Sequence, residues 1–217
     1  MKMHKLVYLL AGVLVLGTSV PSTAQPQKVV SHSNSTSTIA QSPPRAQTQT
    51  PSTKPATISV EGEKTPITLK LYKAISPRFS TYYPEKYFVP ESGASDEGTS
   101  VRFFVNTTNT KNQDAYVHFA FLNHIKTLGQ VRSFVNGKRG LIASNGWQVV
   151  SRTRKVPYRW AKERIDFRQR KGNETILGSV YLGESKGKAF YAIAHYPAEY
   201  GDGFAPRANL IFQNLQF

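Results

Sequence analysis

The residues best equipped for chemistry stand near the C-terminus, in HYPAEYGDGFAPRANLIFQNLQF at 195–217. His195 beside Glu199 or Asp202 would make a general acid–base pair, with Arg207 close by in sequence. His195 and Glu199 are four residues apart, which is ligand spacing on a helix. Pro197 lies between them and bars a helix there, so the spacing loses that meaning. A zinc site would also need further ligands, and none falls nearby in sequence. A structural account covers the same residues. Asp202 is a candidate N-cap, Gly201 and Gly203 permit a tight turn, and Arg207 can pair with Glu199 or Asp202. The chain lacks Gly-x-Ser-x-Gly, His-Glu-x-x-His, Walker-type and dinucleotide-binding signatures. It has no cysteine, which removes thiolate chemistry and disulfides. The expectation is therefore no catalytic residue, no metal and no cofactor. A small-ligand or hydrolase pocket at His195, Glu199, Asp202 and Arg207 is the alternative.

A second group of residues is defined by charge. The formal net charge is +15. Lys126, Arg132, Lys138, Arg139, Arg152, Arg154, Lys155, Arg159, Lys162, Arg164, Arg168, Arg170 and Lys171 crowd residues 126–171, against only Glu163 and Asp166. From residue 59 onward, the remaining cations and acids nearly balance. Guanidinium groups suit phosphate, sulfate and carboxylate because they pair bidentately and shed water readily. The expected anion-binding set is Arg152, Arg154, Lys155, Arg159, Lys162, Arg164, Arg168, Arg170 and Lys171. Alternation in 163–169 puts Ile165 and Phe167 toward a core, with Arg164, Asp166 and Arg168 the other way. Arg152 and Arg154 share a parity. A hairpin through KVPYRW would then line several arginines along one exposed sheet face, screening Asp166. Tyr158 and Trp160 among these cations would suit nucleic-acid stacking, but an exported chain meets little nucleic acid.

The elements that must position these residues are mostly strands. Ile67–Ala74, Phe79–Tyr83, Thr99–Asn106, Tyr116–Asn123, Trp147–Val156, Glu163–Gln169, Ile176–Gly183 and Lys188–Tyr196 have strand composition bounded by turn residues. TNTKNQD and GESKGK read as hairpin connections, which imply antiparallel pairing. His195 shares a strand face with Tyr191 and Ile193 and should be at least partly buried. Two helices interrupt the strands. Thr127 can cap one that presents Leu128, Val131 and Val135, with Gly137 and Gly140 ending it. The closing segment sets Ala208, Ile211, Phe212 and Leu215 on one stripe. The class is α+β, an antiparallel sheet with packed helices.

The N-terminus reads differently. A basic start (Lys2, His4, Lys5), an apolar run at 6–16 and small residues up to Ala24 match a secretory signal peptide over 1–24. Residues 25–58 are Ser/Thr/Gln/Pro-rich, with no aromatic and no acid. They read as a disordered linker. Residues 59–217 read as a single domain. Export to a periplasm, a thylakoid lumen or the exterior follows from the leader.

FSTYYPEKY at 79–87 resembles the opening strand of PsbP-like domains, the α/β/α sandwiches first known as extrinsic proteins of photosystem II. The late hairpin ETILGSVYLGESKGKAFYAIAHYP, followed by a C-terminal helix, is similar to that group as well. The resemblance covers about residues 67–217 in element order and rests on few residues. Tyr87 stands where the group usually has tryptophan. It implies an α/β/α sandwich fold and an exported compartment, and it carries over no ligand residue. The functional expectation is a non-catalytic domain docking through a basic face to an anionic membrane surface, acidic protein or polysaccharide. Assembly with a membrane complex is implied by the resemblance alone.

Overall fold

The computed structural model describes residues 50–217, which form one compact unit. The expected signal peptide and the linker up to residue 49 lie outside the described residues. Residues 53–58, expected as the end of a linker running over 25–58, belong instead to a strand, β1 (Thr53–Val60). β1 pairs antiparallel with β2 (Glu63–Ala74), and β2 with β3 (Phe79–Pro84), making a three-stranded sheet. Pro55 is tolerated because β1 is an edge strand.

The larger sheet has seven strands in the order β4-β5-β6-β10-β9-β8-β7. They are β4 (Phe88–Ser95), β5 (Gly98–Val105), β6 (Asn112–Leu122), β7 (Gln148–Thr153), β8 (Ala161–Lys171), β9 (Glu174–Ser185) and β10 (Lys188–Pro197). Every neighbouring pair is antiparallel. The β9–β10 connection is a two-residue turn in which Lys186 and Gly187 both take positive φ, 48° and 72°. Such a turn matches the natural twist of the flanking strands.

Both faces of this sheet are covered. On one, α1 (Leu128–Asn136) and the short α2 (Leu141–Ser144) lie over a core that includes Ile165, Phe167, Val180, Leu182, Tyr191 and Ile193. On the other, β3 and α3 (Gly201–Gln213) close over Val117, Phe119, Phe121, Tyr181, Ala192 and Ala194. The result is an α+β fold with helices on both faces of an antiparallel sheet. Thr127 caps α1 as expected. Its hydroxyl accepts from the Gln130 amide while the Gln130 side chain accepts from the Thr127 amide. Asp202 does not cap α3. A 3-10 turn at Ala198–Tyr200 runs straight into the helix, the cap position falls to Tyr200, and Asp202 sits in the first turn. Three side chains tie α3 down: Thr81 Oγ1 donates to Ile211 O at 2.6 Å, Trp160 Nε1 to Phe212 O at 3.0 Å, and Tyr158 OH to Asn209 Oδ1 at 2.7 Å.

A candidate anion-binding sheet edge

The basic stretch occupies the outer border of the large sheet. Among the described residues β7 is the last strand of this sheet and β8 its only neighbour, and residues 154–160 join them. Register decides where each arginine points. Arg152 is opposite Ile165, whereas Thr153 is opposite Arg164 and Ser151 opposite Asp166. Directly opposed residues share a face. Arg152 therefore lies on the α1 side and Arg164 on the α3 side. The single arginine face expected from alternation is divided between the two faces. The cause is the hairpin's register, which sets Arg152 across from the apolar Ile165 rather than from Arg164.

Carboxylates take up part of the charge. Glu163, 8% exposed, receives Arg132 Nε at 3.0 Å and lies 3.7 Å from Arg152 Nη1. Asp166 accepts from Ser151 and Ser179 at 2.6 Å each and from Arg164 Nη2 at 2.9 Å. Burial alone would raise the Asp166 carboxyl. The two hydroxyls and the Arg164 guanidinium outweigh that and hold it below its ordinary value. Lys171 pairs with Asp114. The other six of the expected set, Arg154, Lys155, Arg159, Lys162, Arg168 and Arg170, are exposed and form no ion pair among the described residues. Arg168 Nε donates to Gln148 and Arg170 Nε to Gly172 O, which fixes their aim without neutralising them. The six fall into two groups. Arg154, Lys155, Arg159 and Lys162 surround the hairpin end. Arg168 and Arg170 lie at the far end of β8, about 20 Å away at a strand's rise.

Tyr158 and Trp160 are not available to stack on a nucleic acid. They are 8% and 6% exposed, parallel to each other at 5.5 Å, and bonded to α3. The KVPYRW segment alternates because its cations face water while its aromatics enter the core.

The alternative pocket at 195–207 does not assemble. His195 pairs with Gly178 and Tyr116, which sets it on the α1 face with Tyr191 and Ile193. Its ring stacks on Tyr116 at 4.8 Å, with Trp147 and Phe167 each at 6.1 Å. Its Nδ1–H donates to Asp114 O at 2.8 Å, the only role that a carbonyl partner permits. Burial lowers its pKa more than Asp114 raises it, so the ring is neutral. Glu199 and Asp202 are exposed at the start of the α3 layer. Arg207 donates to Gly203 O, four residues earlier, and stands 4.6 Å over the Tyr87 ring. A histidine enclosed by aromatics on one face cannot share a proton with carboxylates on the other. His118 lies on the same face as His195, with Tyr116 next to both. Its pKa is lowered to about 3, by burial first and by Arg102 second. Among the described residues no group of three or more acids and histidines could hold a metal ion.

Sequence reasoning did not find the open cleft beside the start of α3. It has a volume of about 500 Å³. Arg164, Asp166, Ser179 and the tyrosines 158, 181 and 196 meet there against Phe204, Pro206 and Phe212. Burial raises all three tyrosine pKa values, so the hydroxyls remain donors. The tyrosines arrive from different elements, so no local pattern announced them.

No protein-family model and no curated protein matches the chain. Among solved structures it is similar to the solution structure of cyanobacterial PsbP (CyanoP) from Synechocystis sp. PCC 6803. Identity is 14%, covering 68% of this chain and 91% of that one, with a TM-score of 0.46. A Bacteroides thetaiotaomicron protein is similar at 12% identity over 67% of this chain and 47% of its own, with a TM-score of 0.40. The resemblance to PsbP is thus one of fold, and a weak one.

Proposed function

We propose that this chain is a non-catalytic, exported binding domain whose outer sheet edge docks onto an anionic partner. The observation that carries the reading is the set of six exposed cations on β8 and its hairpin to β7, outside any carboxylate pair among the described residues. The hairpin end offers four cations. Each contributes about 1 kcal/mol near an anionic membrane, or about 4 kcal/mol together. That is enough for reversible, salt-sensitive attachment and too little for a permanent anchor. Export rests on the apolar leader at 6–16 and its small-residue flank. Retention on phosphatidylglycerol vesicles and on a sulfated polysaccharide across a salt series tests the reading. Retention should fall steeply as salt rises. Binding indifferent to salt, or none at low salt, overturns it.

A second reading rests on the tyrosine-lined cleft, where a small polar ligand would meet Arg164, Asp166, Ser179 and Tyr181. It moves the small-molecule alternative away from His195. A ligand-dependent rise in unfolding temperature that Tyr181→Phe abolishes would favour it.

A further inference from the structure

β7 presents a backbone edge that no other strand pairs with among the described residues. The other border strands are each blunted. β4 contains Pro90 and Gly93 and holds Glu91 against Lys111. β1 contains Pro55. β3 is closed by Gln216, which bonds both backbone groups of Ser80. Proline, charge and coverage are the usual protections of a strand edge. β7, with the sequence QVVSRT, has neither proline nor glycine. Val149 and Val150 are 41% and 63% exposed, two of the three large apolar side chains left in solvent among the described residues. Arg154 and Lys155, which form no ion pair among the described residues, follow them, Arg152 is taken up by Glu163, and β7 contains no acid.

The two properties together select an occupant. An unpaired ladder beside exposed valines invites an extended segment, as in strand-addition recognition. The cations oppose a second β7, which would set arginines beside one another. They also disfavour the chain's own residues 25–49, which include Lys28 and Arg45 and no acid. The register shift between Val149 and Ser151 leaves Val150 unopposed and bends the edge, so only a short stretch can be added.

We propose that β7 accepts a short, extended, acidic peptide segment of a partner protein as an added strand. This deepens the docking reading and rests on it. The ladder supplies affinity, Val149 and Val150 supply apolar contact, and the cations choose acidic side chains over neutral or basic ones.

The probe is a short synthetic peptide of alternating valine and glutamate. Its counterpart, N-methylated at alternate amides, keeps every side chain but cannot complete a ladder. Nuclear magnetic resonance of the full chain follows the amides of residues 148–153. The plain peptide should bind, protect outward-facing β7 amides from exchange, and exceed the N-methylated form by about tenfold in affinity. Val150→Thr, at an exposed site, should weaken binding several-fold without disturbing the fold. Equal affinity for the two peptides overturns strand addition, as does no binding or no protection along β7. If that happens while salt-sensitive retention on vesicles or polysaccharide persists, docking stands and strand addition falls. Loss of retention as well removes both.

Discussion

Glu163 and His118 show how much depends on single side chains. Glu163 is buried and shared by Arg132 of α1 and Arg152 of β7, so it removes Arg152 from the anion-binding edge. Glu163→Gln should release both. Stability should drop by about 1–3 kcal/mol in denaturant titration, from the lost charged partner, while the salt needed to elute the protein from a sulfated resin should rise. Elution at unchanged salt would mean that those arginines do not contribute to docking. His118 gives the chain an acid sensitivity. Its folded pKa of about 3 lies below the unfolded value near 6.5. Below pH 6.5 the unfolded chain takes up a proton that the folded chain refuses. The stabilisation present above that pH is therefore lost as pH falls toward 3, at up to about 1.4 kcal/mol per pH unit for one such group. His195 acts in the same direction. Urea midpoints should decline from pH 7 to pH 5, and His118→Leu should flatten the decline. An identical slope in the variant would count against the burial argument. Neither role was legible in the sequence. Glu163 read as one acid among many cations, and His118 carried no signal of its own, because their partners come from other strands and from α1.

The elements differ in how openly the sequence declares them. α1 was legible because its signal is local, with a capping residue three positions before its glutamine and an apolar stripe behind. Thr127→Ala should cost about 1 kcal/mol in equilibrium unfolding. The central strands were legible because both of their faces are apolar. β1 and β4 were not, since Pro55, Pro90 and Gly93 give them the composition of loops; only their edge positions make those residues acceptable. The divided arginine face failed for a related reason. Alternation fixes which residues of one strand share a side, whereas register fixes which sides of two strands match, and register is a property of the pair. Gly178 shows the same dependence. A Cβ there would stand 2.3 Å from the Phe167 ring and 2.4 Å from Ala194 O, in the floor beneath the Trp147–Phe167 stack. Gly178→Ala should lose about 3 kcal/mol, at the upper end for overpacking. A cost below about 1 kcal/mol would show that the stack relaxes freely.

For the described domain as a whole, charge was legible in the sequence as a stretch of chain but not as a surface. Contiguity in sequence kept these cations on one border hairpin, residues 148–171, but divided them between its two ends and its two faces. The expected number of free cations was too large, because Glu163, Asp166 and Asp114 each draw one or two away. The most direct measurement compares two charge-matched variants on anionic vesicles and sulfated resin. One reverses Arg154, Lys155, Arg159 and Lys162 to glutamate. The other reverses the exposed Lys64, Lys73, Arg78 and Lys86, on and beside the smaller sheet. The first should leave both supports at far lower salt than the second, which should stay near the unaltered protein. Equal elution of the two variants would contradict a localised docking edge and leave only the effect of net charge.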